Sequence, residues 1–452
     1  MTVLWYVLGV LFVGAGVGFS IAWHEIGHLV PAKRFGVRVT QYMVGFGPTL
    51  WSRTRGETEY GFKAIPLGGY IRMIGMFPPR RGQDPSKVRV SSTGRMSQLV
   101  DEARAASLEE LRPGDERRVF YALKTWQKVV VMLGGPVMNL ILALILLSGL
   151  VMAYGTAVTK PGAFVGTVSE CVVSAAEASA DRVCEPGDPL TPAAEAGLRP
   201  GDIVRSIAGE PVETNRDVST LIRPRSGMPT DIVIEREGQT LTLTATPITN
   251  ELPELDERGE PVLDASGAPV LVETGFLGIA SGPVSEIERQ SPTVVPGIAW
   301  EMVSGTAEVV AQLPQRMVGV YQAAFSGAER DLESPVSVVG VGRIAGEVAS
   351  GEITLFETPQ QRFATLILLL AGLNIALFVF NLIPLLPLDG GHVAGALWEA
   401  VKKGYARARG LPDPGPVDVA KALPLAYAVS VVLIGMAVLL IYADLVNPVK
   451  LG

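Results

Sequence analysis

Two histidines and a glutamate lie together at the end of an apolar run, in the order His24-Glu25-Ile26-Gly27-His28. On a helix, positions i and i+4 are separated by about 400° of rotation, so both imidazoles project from one face and can bind one cation. Glu25 follows the first histidine and can accept a proton from water without being a ligand. The spacing therefore indicates a zinc hydrolase.

A third ligand is needed, because catalytic zinc usually has three protein ligands and one open position. The best candidate is Asp389, in Leu388-Asp389-Gly390-Gly391-His392 at the end of another apolar run. The alternative for Asp389 is a helix-terminating Asp-Gly turn. His392, the last of only three histidines in the chain, is a weaker candidate, either as a donor to a ligand or as a plain surface residue.

Two asparagines lie in or next to apolar runs. Asn381 precedes Asp389 by eight residues, and Pro384 and Pro387 follow it. A buried amide needs hydrogen-bond partners, and the prolines interrupt regular helix where metal and substrate would meet. A structural helix cap is the alternative for Asn381. For Asn139, which follows a Gly-Gly-Pro turn, we favour packing over function.

Four uncharged runs position these residues. Each is long enough to span a hydrocarbon core as a helix, and charged residues make up only 18% of the chain, which is few for a soluble protein. The first run lacks the basic start of a signal peptide, so we expect it to be retained. The runs are residues 3–23, 129–159, 363–388 and 422–443.

Charge is distributed unevenly between the segments that connect these runs. Residues 31–128 carry 18 Lys and Arg against 9 Asp and Glu, whereas residues 154–300 carry 10 against 22. Basic residues near span ends place the first segment in the cytoplasm and the acidic one outside, together with both termini. The histidine pair and Asp389 then reach the same cytoplasmic side. The net charge of −7 argues against a nucleic-acid partner.

The first loop divides into two parts. Residues 39–75 are rich in glycine and alternate apolar with polar residues, which predicts short strands against the bilayer. Such strands, with Gly68 and Gly69 among them, could offer a free edge to an extended substrate; a membrane-anchoring hairpin is the alternative. Residues 76–118 are polar and are expected to form a cytoplasmic loop, partly disordered.

The outside segment contains a soluble α/β pattern over residues 161–249. A Gly197-Leu-Arg-Pro-Gly-Asp202 turn feeds an apolar strand, which closely resembles a bacterial PDZ domain. The only two cysteines, Cys171 and Cys184, lie here, where disulfides can persist. They are a candidate disulfide, with two buried free thiols as the alternative.

Together these motifs resemble the site-2 protease family of intramembrane zinc metalloproteases, in particular bacterial members with an extracytoplasmic PDZ domain. The resemblance implies Zn²⁺ held by His24, His28 and Asp389, with Glu25 as general base. It also implies that Asn381 helps to hold the substrate or the oxyanion. Leu386 stands where many members have proline, and only one PDZ domain is evident where some members have two.

The implied fold is a polytopic α-helical membrane protein with four transmembrane helices, a membrane-associated β-hairpin and an inserted PDZ domain. It would lie in the bacterial inner membrane and cut single-span proteins, such as anti-sigma factors or remnant signal peptides, after a site-1 protease. The predicted segments are 1–30, 31–128, 129–156, 161–249, 250–292 (acidic insertion and strand), 293–360 (amphipathic helices), 361–398, 399–421 and 422–444.

Two functions from other classes compete with this interpretation. A non-proteolytic PDZ membrane adaptor with a structural metal would not need Glu25, because a closed site has no water to activate. A transporter would be expected to show repeat symmetry between its halves, and none is evident.

Overall fold

The computed structural model describes residues 2–78, 111–172, 184, 188–256, 261–264, 268–327, 330–331, 334–353 and 358–449. Most of the predicted cytoplasmic loop 76–118 therefore lies outside the described residues. The chain forms two compact units. The helical unit comprises Met1–Tyr154 and Gln290–Gly452, and the sheet unit comprises Gly155–Arg289.

In the described part of the chain, two long helices flank a β-hairpin, the strands and two short helices of the sheet unit come next, and six further α-helices follow. Their bounds are α1 (Thr2–Arg34), β1 (Val39–Arg55), β2 (Thr58–Met73), α2 (Thr125–Ala153), β3 (Thr156–Val168), α3 (Pro192–Ala196), β4 (Ile203–Ile207), β5 (Glu210–Pro211), α4 (Asn215–Ile222), β6 (Thr230–Arg236), β7 (Gln239–Ala245), β8 (Ile248–Pro253), β9 (Leu271–Phe276), β10 (Ile279–Glu288), α5 (Val295–Ala311), α6 (Leu313–Ser326), α7 (Val338–Ser350), α8 (Pro359–Asn381), α9 (Asp389–Ala408) and α10 (Leu423–Val446).

Within the described residues, four helices are long and apolar enough to cross a membrane, as the sequence predicts: α1, α2, α8 and the helix that ends with α10. Small residues allow the first two to approach closely. A Cβ on Gly27 of α1 would lie 2.2 Å from the carbonyl oxygen of Gly134 on α2. Close backbone approach through small residues is the usual way in which membrane helices pack, because lipid gives them no hydrophobic drive to associate.

The predicted third span differs from the structure. The sequence prediction treats residues 361–398 as one segment, whereas α8 ends at Asn381 and α9 begins at Asp389. Pro384 and Pro387 lie in the break, and each lacks the N–H that a continuing helix needs. Asp389 consequently opens a helix and does not end one.

The glycine-rich region forms β1 and β2, which are longer than the short strands predicted. The first part of β1 lies between two parts of β2, since Met43 faces both Gly61 and Tyr70. The hairpin exposes large apolar side chains to its surroundings. These are Phe46, Leu50, Trp51, Phe62 and Ile65.

The sheet unit contains strands in the order β10-β3-β4-β6-β7, with β5 paired to β4. The predicted bounds of 161–249 are too narrow, because β10 pairs with β3 from Ile279 opposite Val168 to Glu288 opposite Thr156. The predicted acidic insertion overlaps β8 and β9, which pair with each other and with no other described strand. A disulfide joins Cys171 to Cys184.

The predicted Gly-Leu-Arg-Pro-Gly-Asp turn precedes β4. Asp202, which is 1% exposed, stabilises this turn. Its carboxylate accepts hydrogen bonds from the guanidinium of Arg236 and from the backbone N–H of Arg199. Burial disfavours the charged carboxylate, but these hydrogen bonds outweigh burial and lower the pKa of Asp202.

Candidate metal centre

Three side chains from α1 and α9 converge. The Oδ2 atom of Asp389 lies 3.2 Å from Nε2 of His24 and 3.3 Å from Nε2 of His28. The two Nε2 atoms are 3.1 Å apart. Ligands placed about 2.0–2.1 Å from a tetrahedral zinc ion are separated from one another by about 3.3 Å. The triangle therefore has the size that zinc requires.

The donor atoms also have the chemistry of a metal site. His28 donates its Nδ1–H to the carbonyl oxygen of Val131 at 2.8 Å, which leaves the lone pair of Nε2 free for a cation. Oδ2 of Asp389 is buried and makes no hydrogen bond within the described part of the chain. Three electron-rich atoms this close repel one another unless a cation lies between them. The residues present thus fit a zinc ion.

The start of α9 explains the glycines beside Asp389. A Cβ on Gly390 would lie 2.4 Å from the carbonyl oxygen of Ile383, and one on Gly391 would lie 2.5 Å from the backbone nitrogen of Leu386. The first turn of α9 folds back against the preceding break, where only glycine leaves enough space. This close approach carries the Asp389 carboxylate to the histidine pair.

Gly135 of α2 forms one wall of the centre. A Cβ at this position would lie 2.2 Å from Nε2 of His28 and 2.6 Å from Nε2 of His24. A metal ion bound to both nitrogens would need the space that this Cβ would fill. We therefore expect the centre to need the bare backbone of Gly135.

Gly135→Ala is expected to reduce zinc affinity by about 100-fold or more, since altering a group that only supports a ligand already costs about 10–100-fold. The matched control is Gly149→Ala on the same helix, where an added Cβ would meet no atom within 4 Å. Zinc affinity can be measured by competition with a chelator. Equal affinity in Gly135→Ala and Gly149→Ala would show that the wall is not needed.

Glu25 lies beside the three converging side chains and is not one of them. It is 8% exposed, and the backbone N–H of Ile71 in β2 donates a hydrogen bond to its carboxylate. Gly69 lies in the same strand, and a Cβ there would be 3.0 Å from Cγ of Glu25. The edge of β2 thus runs directly past the glutamate.

The other predicted site residues are outside the converging group of His24, His28 and Asp389. The side-chain amide of Asn381 donates to the carbonyl oxygen of Leu377 in its own helix. Gly68 lies next to Gly69 and has a φ of 116°, a region that favours glycine. His392 is outside the converging group and lines a small pocket with Lys128 and Glu399.

Asn139, for which the sequence favours packing, contacts a residue of the centre. Its side chain is on α2, and its Nδ2 lies 3.1 Å from Nδ1 of His24. A signal was available, because Asn139 follows Gly135 by four residues and so lies on the same helix face. The sequence could not show that this face meets the histidine pair.

The chain is similar to known zinc metalloproteases. The model of peptidase family M50 matches residues 12–411. The chain is 32% identical to zinc metalloprotease Rip1 of Mycobacterium tuberculosis over 452 residues, which cover 99% of both chains. Rip1 of Mycolicibacterium smegmatis is 31% identical over 98% of both chains. Metalloprotease MmpA of Caulobacter vibrioides is 29% identical over 85% of both.

Proposed function

Because the chain belongs to peptidase family M50 and is a zinc metalloprotease of the membrane, we propose that it cuts single-span proteins within their transmembrane segments. Anti-sigma factors and remnant signal peptides, trimmed beforehand by a site-1 protease, are the proposed substrates. One observation carries this proposal: His24, His28 and Glu25 lie on α1, a helix long and apolar enough to cross a membrane. Because the chain is a zinc metalloprotease, the competing function as a non-proteolytic adaptor is set aside.

We assign His24, His28 and Asp389 as the residues that hold zinc. When bound there, zinc supplies Lewis acidity, which lowers the pKa of water and polarises a carbonyl group. Glu25 accepts the proton of the attacking water and passes it to the leaving amine. Its hydrogen bond from Ile71 orients the carboxylate, and its burial keeps competing bulk water away.

Substrate binding is proposed at β2. A transmembrane helix hides its carbonyl groups in its own hydrogen bonds, so it must unwind before it can be cut. Residues 69–73 of β2 pair with β1 on one side and pass Glu25 on the other, which makes them a template for an extended segment. Gly69 keeps a side chain out of the space beside Glu25, and Gly68 next to it remains a proposed substrate contact. Asn381 remains a proposed contact for substrate or oxyanion, since it ends α8 next to the break before Asp389.

The proposed topology follows the charges. The bacterial inner membrane would hold the four spans, with the basic first loop in the cytoplasm and the acidic sheet unit outside. We assign the sheet unit as a PDZ domain on the strength of its turn before β4. It would either bind the new C-terminus left by the site-1 cut or exclude substrates with bulky outer domains.

Reconstitution in vesicles tests this function. The purified full chain is incubated with a single-span protein whose outer domain is either short or bulky, and mass spectrometry locates the cut. We expect a cut inside the apolar segment, at least about 10-fold faster for the short form, which a zinc chelator stops and added zinc restores. Cutting only in soluble segments, or cutting that a chelator leaves unchanged, would contradict the proposal.

A further inference from the structure

We infer that Asn139 is a positioning residue of the metal centre: its side-chain oxygen accepts the Nδ1–H of His24 and so fixes the tautomer that can bind zinc. The inference rests on the proposed role of His24 as a zinc ligand. The residue is 0% exposed, and an amide buried in an apolar helix costs free energy unless it has a partner.

The chemistry of His24 determines what its partner must be. Nε2 of His24 points at Nε2 of His28 and at the Asp389 carboxylate. To bind a metal, Nε2 must carry a free lone pair, so the proton of the neutral imidazole lies on Nδ1. Nδ1–H is then a buried donor that needs an acceptor, and Asn139 is the side chain beside it at 3.1 Å.

Asn139 has the acceptor to offer. Its Oδ1 atom is buried and has no hydrogen-bond partner within the described residues, while its Nδ2 faces His24. The two ends of a side-chain amide have nearly the same shape, and their orientation is assigned from the hydrogen bonds that they make. A half-turn of the amide brings Oδ1 to the Nδ1–H of His24, so that each group supplies what the other lacks.

The same helix already does this for the second histidine. Nδ1–H of His28 donates to the carbonyl oxygen of Val131 in α2. Asn139 follows Val131 by eight residues on α2, and His24 precedes His28 by one turn on α1. One helix would therefore fix both imidazoles, one through a backbone carbonyl and the other through a side chain. Such supporting hydrogen bonds orient metal-binding histidines and raise their basicity.

A second buried asparagine provides the matched control. Asn374 of α8 is also 0% exposed, and its amide donates to Ser20 Oγ and to the carbonyl oxygen of Leu370. Its Oδ1 is likewise buried without a partner in the described chain. Neither hydrogen bond involves a residue of the metal centre. Asn139 and Asn374 thus share their burial and differ in what they contact.

Zinc affinity separates positioning from packing. The full-length chain and its variants are purified in detergent, zinc dissociation constants are measured by competition with a chelator, and cobalt spectra report the ligand geometry. We expect Asn139→Leu to weaken zinc binding by about 10–100-fold and to alter the cobalt spectrum. Asn139→Asp, which keeps an acceptor, should bind within about threefold of the wild type, and so should Asn374→Leu.

Other outcomes would overturn the inference. Wild-type zinc affinity in Asn139→Leu would do so, as would equal losses in Asn139→Leu and Asn374→Leu with no recovery in Asn139→Asp. If Asn139→Leu does not fold, Asn139→Ala carries the same expectation. His24→Ala separates the ligand role from the positioning role. Wild-type zinc binding in His24→Ala would show that the ligand set is wrong. Loss of zinc binding in His24→Ala, with wild-type zinc affinity in the Asn139 variants, would refute only the positioning role of Asn139.

Discussion

Glu25→Gln is expected to abolish peptide cleavage while the protein still binds one zinc ion. Glutamine keeps the size and polarity of the side chain but cannot accept the proton of the attacking water. General base catalysis is typically worth about 10²–10⁴-fold in rate, so turnover should fall at least that far. Because Glu25 is not one of the converging ligands, zinc content should not change. Cleavage of a trimmed single-span substrate and zinc content are measured on the same sample.

The matched control is Glu116→Gln, at an exposed glutamate in the segment that precedes α2. This variant should cut at the wild-type rate and bind the same zinc. Cleavage by Glu25→Gln at the full rate would refute the mechanism. Loss of zinc together with activity would instead make Glu25 part of the metal site.

Asp389→Ala is expected to lose both zinc and activity, because it removes one of three ligands and leaves two imidazoles alone. The loss in zinc affinity should exceed the about 10–100-fold that a supporting residue costs. His392→Ala should keep its zinc, since His392 is one turn further along α9 and outside the converging group. Dialysed samples are compared by metal analysis and by cleavage.

The comparison between these two variants decides the third ligand. Zinc retained in Asp389→Ala but lost in His392→Ala would exchange their roles. Both variants keep Gly390 and Gly391, so the turn that opens α9 is unchanged in each. A difference between them therefore reports on the ligand and not on the backbone.

The sequence predicts those features that depend on local pattern. Uninterrupted apolar runs indicate the four long helices, because few other structures need twenty uncharged residues in sequence. Helical spacing brings His24 and His28 to one face. Charge near the span ends then directs attention to Asp389 before any contact is known, and the structure brings its carboxylate to the two imidazoles.

Features that depend on distant contacts could not be predicted. The sheet unit extends to Glu288 because β10 pairs with β3, which lies more than a hundred residues earlier. The contact between Asn139 and His24 is not evident from the sequence, because the two residues lie on different helices. The amide of Asn381 instead finds a partner in its own helix at Leu377, which no spacing rule distinguishes from a contact with substrate.

The most direct test is X-ray absorption at the zinc edge of the purified full-length protein. We predict one zinc ion with two imidazole nitrogens and one or two oxygens, all at about 2.0–2.1 Å. The His24, His28 and Asp389 centre gives this set, with the second oxygen from water. A third imidazole, a sulfur ligand at about 2.3 Å or a protein that binds no zinc would contradict it.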